Sequence, residues 1–211
     1  ARTMALCTEA AADAYPGKTI RIVLGYPAGS GIDNVARLIG HHLAATSGQA
    51  VIVENKPGAL GNIAAQTVAV APADGYTLLF TPNSSLAINV HLFKKLPFDP
   101  VKDFTPVAPL ATLGFVVLVN PAVLPVTTLQ ELTTLIRKEP GKYSYGTGNA
   151  TGQVAGALYA STAKLDVLNV PYKGVPPALT DLMGGSIHFL MADASLAIPQ
   201  IRAGSVRALA V

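Results

Sequence analysis

The chain has 211 residues, half of them hydrophobic and 13% charged, with a formal net charge of +3. That composition fills a real core and excludes a disordered or fibrous chain. Apolar runs break at Gly or Pro well short of the roughly 18 residues that span a bilayer, which argues against membrane insertion, and the basic residues are too scattered for a nucleic-acid footprint.

The single cysteine, Cys7, excludes an internal disulfide and a Cys-based zinc site. Ala12-Asp13-Ala14 fits an A-x-A cleavage site just before Tyr15. Residues 1–14 are therefore expected to be the remnant of an export signal, with a flexible Ala-rich N-terminus as the alternative.

Thr19–Gly25 is β-branched and apolar and reads as a strand, followed by a helix from Ile32 to about Thr46. Ala50–Glu54 reads as a strand, Asn62–Val70 as a helix and Tyr76–Phe80 as a third strand. This βαβαβ order predicts a parallel sheet flanked by helices. A polar loop, Thr81–Ser85, leads to a short helix at Leu86–Phe93 and then to a proline-punctuated connection. Phe115–Val119 reads as a strand and Thr128–Lys138 as a helix, with Thr127 or Thr128 as N-cap and Glu131 in its first turn. Strands at Lys142–Tyr145, Val167–Val170, Ile187–Met191 and Val206–Val211 then alternate with helices at Gln153–Ala163, Pro177–Met183 and Leu196–Ala203. Two α/β units follow, with Rossmann-like parallel sheets facing each other across a cleft. Residues 15–110 form the first domain, and residues 111–211 the second, with hinge strands at each end.

Ligands in open α/β sheets sit at the carboxyl ends of strands. The stretch Tyr26-Pro27-Ala28-Gly29-Ser30-Gly31-Ile32-Asp33 is a strand end, a Gly-rich turn and a helix start. Such a junction gathers free backbone N–H groups and the positive end of the helix dipole, which suits an anion. Ala28, Gly29, Ser30 and Gly31 are candidate ligand contacts, against the plainer reading of a strand–helix turn. Asp33 either caps the helix or accepts from a ligand amine. Ser84 and Ser85 lie at the next strand end. Thr147, Gly148, Asn149, Ala150 and Thr151, with Gln153 beyond, offer hydroxyl, amide and backbone groups at a second helix start; an N-cap by Thr151 alone is the alternative. Tyr172 and Lys173 stand at the cleft mouth or form a bare surface turn. Asp193 is either a helix N-cap or a discriminator for a ligand amino group.

Chemistry beyond binding has no visible constellation. Gly17-Lys18-Thr19 precedes a strand and lacks the upstream glycine of a phosphate loop, and Gly146-x-Gly148 with Gly152 misses the dinucleotide spacing. His41 and His42 point to different helix faces, and His91 and His188 are distant, so no metal set forms. No Gly-x-Ser-x-Gly nucleophile elbow occurs. Neither catalytic residues nor a cofactor are expected.

Several distinctive motifs occur in a fixed order along the chain. They are Tyr15-Pro16-Gly17-Lys18, the Tyr26–Asp33 turn, Val53-Glu54-Asn55-Lys56-Pro57-Gly58-Ala59 and Ala73-Asp74-Gly75-Tyr76. Lys94-Lys95-Leu96-Pro97-Phe98-Asp99-Pro100, Val170-Pro171-Tyr172-Lys173-Gly174 and Arg207-Ala208-Leu209-Ala210-Val211 complete them. Together they resemble the tripartite tricarboxylate transporter substrate-binding proteins, the Bug or TctC-type family, and the resemblance spans residues 15–211. It implies a type II, two-domain periplasmic binding protein that captures a small organic carboxylate or acidic amino acid and delivers it to a membrane permease. Family members continue past the equivalent of Val211, so the C-terminal part of the first domain is expected to be missing. Many relatives also carry a His near the position of Gln153. A sensor or interaction protein on the same fold, or an enzyme, is the alternative.

Overall fold

The structure is a computed structural model and describes residues 15–211; the expectations for residues 1–14, Cys7 included, lie outside the described residues. The first α/β unit runs β1 (Ile20–Leu24), α1 (Gly31–Ser47), β2 (Val51–Asn55), α2 (Asn62–Ala69) and β3 (Thr77–Leu79). Its sheet is parallel with order β2-β1-β3, and Ile22 is registered with both Val53 and Leu78. Central β1 is apolar enough to be covered on both faces, which is what parallel sheets require. Ile22, Leu24, Tyr26, Ile32 and Ala36 form its core. α1 starts at Ser30, whose side chain accepts from the Asp33 N–H, and stops at Gly48 in the left-handed conformation.

After β3 the chain does not form the loop and simple helix expected at 81–93. Ser84–Ile88 is a π-helical turn that runs directly into α3 (Asn89–Leu92). Its anchor is tertiary: buried Asn89 donates through Nδ2 to the Leu60 carbonyl (3.0 Å) and to Asn62 Oδ1 (2.7 Å).

The second unit contains β4 (Phe115–Val119), α4 (Leu129–Lys138), β5 (Ser144–Thr147), α5 (Ala150–Thr162) and β6 (Leu168–Pro171). α6 (Val175–Met183), β7 (Phe189–Asp193), α7 (Ala194–Arg202) and β8 (Arg207–Ala210) follow. The strand order is β6-β5-β7-β4-β8. This sheet is mixed where a parallel one was expected: β4 pairs antiparallel with both β7 and β8. β4 arrives along the connection from the first sheet and not through a β–α–β crossover, so the rule that makes crossover-linked strands parallel does not bind it. Alternation along β7 sends Phe189 and Met191 to one core and Leu190 and Ala192 to the other. The sheet is thus sandwiched between two apolar layers. α4 carries the expected Thr128–Glu131 capping box.

β5 extends to Thr147 and α5 opens at Ala150, leaving only Gly148 and Asn149 between them where a seven-residue loop was expected. Close packing explains the tight link. A Cβ on Gly148 would collide with the backbone of Gly174 and Val175, so the turn lies flat on the start of α6.

Candidate functional site

The strand-end turns of the two sheets meet. A Cβ on Gly31, at the start of α1, would collide with Ser195 Oγ and come within 3.5 Å of the Asp193 Cβ. A Cβ on Gly174 would fall 2.5 Å from the Pro27 ring. α5 packs on the Ser84–Ile88 turn. A cavity of about 270 Å³ opens along this seam, with Gly25, Tyr26, Ala59 and Leu60 on one side and Gly148, Tyr172 and Lys173 on the other.

The β1–α1 turn is pinned from within. Asp33 is buried, and its carboxylate accepts from the Gly29 N–H (2.9 Å), from Arg37 Nε (2.9 Å) and from Asn55 Nδ2 (2.8 Å). The Asn55 amide also donates to the Tyr26 carbonyl (3.0 Å). Burial pushes the Asp33 carboxyl up, but the Arg37, Asn55 and Gly29 hydrogen bonds together hold it below the ordinary carboxylate range. Ser30, not Asp33, is the helix cap. Ala28 and Gly29 lie exposed on the outside of the turn. Ser30 and Gly31 are buried and face the second sheet's turns. With Ser30 Oγ taking the Asp33 N–H (3.3 Å), the N–H groups of Gly31 and Ile32 remain among those a helix start leaves without intrahelical partners.

The β5–α5 turn repeats the arrangement. Asn149 caps α5, its Oδ1 accepting from the Gly152 N–H (2.8 Å); Thr151, the alternative cap, is half-buried as the second residue of the helix. The N–H groups of Ala150 and Thr151 are left at this helix start. Thr147 sits inside β5 with its hydroxyl donating to Asn169 Oδ1 (3.0 Å), and Gln153 is half-buried in the first turn of α5. Lys173 is exposed at the cavity mouth. Tyr172 lines the cavity but donates its hydroxyl to Asp181 (2.6 Å); burial, and then that carboxylate, push the phenol up to about 12.

Between the two helix starts lie polar atoms whose needs the protein leaves unmet. The Tyr26 hydroxyl and Ser84 Oγ are fully buried and have no hydrogen-bond partner among the described residues. Burial pushes the Tyr26 phenol up; the Ser85 and Ser84 hydroxyls pull it down without completing an aligned bond. Ser85 Oγ donates to the Leu60 carbonyl (3.3 Å). Asp193 occupies the N-cap position of α7 yet makes no capping bond, and it is only 5% exposed. Burial pushes its carboxyl up to about 6, opposed by the Asn149 side chain. Groups left this way in a folded protein call for a partner.

Sequence reasoning missed Tyr26, Asn55, Gly174 and Ser195 as site builders. Tyr26 reads as one more apolar residue at a strand end. Gly174 and Ser195 matter only through contacts across the seam, which no local pattern records. A turn at Gly58–Gly61 was missed as well. Its central residues, Ala59 (φ 47°) and Leu60 (φ 54°), are both left-handed, a conformation that turns normally give to Gly or Asn.

Two α/β sheets that meet along a polar seam of helix starts have the architecture of the periplasmic binding proteins. Residues 35–211 match the family described as the tripartite tricarboxylate transporter family receptor, TctC, and the chain belongs to that family. It is similar to a UPF0065 protein of Bordetella bronchiseptica, at 36% identity over 209 residues, covering 99% of this chain and 62% of the relative. It is also similar to the structure of an R. palustris protein with adipate, at 33% identity and a TM-score of 0.89, covering 92% of this chain and 66% of that one. A third match is MatC from Rhodopseudomonas palustris with bound malate, at 32% identity and a TM-score of 0.85, covering 92% and 66%. The chain spans less than two thirds of the length of the curated relatives it matches. Among the described residues no helix is long and apolar enough to cross a membrane, and no three His, Cys, Asp or Glu side chains group as a metal site.

Proposed function

We propose that this chain is the ligand-binding part of an exported, periplasmic solute-binding protein that captures a small organic carboxylate, or an acidic amino acid, for a tripartite tricarboxylate-type permease. One observation carries the reading. The buried, unpartnered Tyr26 hydroxyl and Ser84 Oγ lie at a seam where α1 and α5 both begin. Hydroxyl donors and helix N-termini suit a carboxylate, and neither supplies a nucleophile–base pair for catalysis. The adipate and malate held by the two structural relatives belong to the same chemical class.

The two lobes, residues 15–110 and 111–211, hinge at the crossings near Pro109–Phe115 and Val206–Val211. Ligand contacts drawn from both lobes exist together only when the seam is shut, so ligand shifts the population toward the closed form that the permease reads. The test is a thermal-shift titration of the purified chain against small carboxylates and amino acids, repeated with Tyr26→Phe and Ser84→Ala. A dose-dependent rise with one acid class, reduced in both variants, is expected by linkage. A cooperative melt that no acid moves overturns the reading.

A further inference from the structure

Asp193 is the group that the binding reading leaves over. It ends β7 in the middle of the seam, beside the start of α1, where its Oδ2 would stand 3.6 Å from a Cβ on Gly31. Its side-chain neighbour on α5 is Asn149, whose Oδ1 is already committed to capping, so the amide N–H₂ is what remains for Asp193. Tyr26 feels its charge from the β1–α1 turn, and Ser195 Oγ follows on α7. No lysine, arginine or histidine pairs with it among the described residues; the other buried acid, Asp33, has Arg37. Lys173 is exposed at the cavity mouth. A buried carboxylate with a single amide neighbour is a costly arrangement unless a cation or a strong donor completes it. A helix start that offered its own N–H groups would be the cheapest remedy, yet α7 makes no such bond to Asp193.

Resting on the proposed carboxylate-binding role, we infer that Asp193 is a specificity-determining residue that accepts a hydrogen bond from a ligand ammonium group, so that the cleft takes an α-amino acid over the matching unsubstituted acid. The placement fits that ligand. Asn149 and Gly31 mark the two helix starts to which the proposed function assigns the ligand carboxylate, and Asp193 adjoins both. An α-amino acid carries its anion and its cation on adjacent carbons. An added ligand carboxylate at the same place would meet Asp193 as a like charge.

The test uses calorimetry on the 211-residue chain with three matched pairs: glutamate and glutarate, aspartate and succinate, alanine and propionate. The preferred amino acid is expected to bind about tenfold or more tighter than its partner acid, the weight of one charge-assisted hydrogen bond. In Asp193→Asn that ratio is expected to fall to about one. The unliganded variant should melt no lower than the wild type, which separates lost recognition from lost folding. Equal affinities, a preference for the unsubstituted acids, or a ratio that survives in Asp193→Asn each overturn the inference while leaving carboxylate binding in place. Failure of all six probes, with no other carboxylate moving the melt, overturns the binding reading and this inference with it.

Discussion

Two buried aspartates stand at helix starts on opposite sides of the seam, and they are treated in opposite ways. Asp33 in the β1–α1 turn is saturated: one backbone N–H, one guanidinium and one amide converge on its carboxylate. Among the described residues, Asp193 at the β7–α7 turn has the Asn149 amide as its hydrogen-bonding side-chain neighbour, no cation paired with it, and no bond to its own helix. Burial pushes both carboxyls up, but partners reverse the outcome for Asp33 and leave Asp193 at about 6. The difference is that a buried charge with all its partners shapes a turn, whereas one with few of them costs stability and is where the proposed ligand recognition is assigned.

The contrast breaks most sharply at Asp33. Asp33→Ala removes the hub of the turn, taking away the shared acceptor of the Gly29 N–H, the Asn55 amide and Arg37, and it is expected to cost about 3 kcal/mol in urea unfolding together with ligand response. Wild-type stability in that variant would show that the turn holds itself.

The two residues also pull stability in opposite directions with pH. Asp33 has a folded pKa below its unfolded value, so its contribution is present above about pH 4 and is lost as pH falls through the lower folded value. Asp193 has a folded value of about 6, above its unfolded one, so it destabilises the ligand-free protein above pH 6. That penalty is relieved as pH falls from 6 toward about 4. Asp193→Asn should therefore be more stable than wild type by up to about 3 kcal/mol at pH 7, with the gap closing by about pH 4. Denaturant titrations at those pH values and midway check the sign; a gap that is constant with pH would mean the carboxylate is not the cause. The smallest effect is at the cap: Ser30→Ala should cost about 1 kcal/mol, because it removes one of several ties on the same turn.

The order of elements was legible because it is written locally. β1 shows a β-branched run, α4 shows Thr128 three residues before Glu131, and α1 ends at Gly48. The direction of β4 was not, since it depends on where the chain comes from and not on its own alternation. The π-helical turn at Ser84–Ile88 was hidden for a related reason: Asn89 holds it by bonds to residues 27 and 29 positions earlier. The site divides the same way. The start of α1 could be read from its Gly-rich turn, whereas α5 begins three residues before the expected Gln153; that no cation pairs with Asp193 among the described residues depends on the whole fold, and no pattern in one strand contains that.

The turn at Gly58–Gly61 carries a consequence for protein engineering. Ala59 and Leu60 hold mirror-image backbone beside the cavity, with the Leu60 carbonyl tied to Asn89 and Ser85. L-residues there are strained, and an Asn-Gly pair would relax them. The natural sequence therefore leaves thermostability unclaimed at the edge of its own cleft, as expected where selection acts on activity and stability need only suffice. A relaxed turn that melts higher and weakens the proposed ligand binding would place the strain in recognition; one that melts higher and binds alike would make it a free gain in durability.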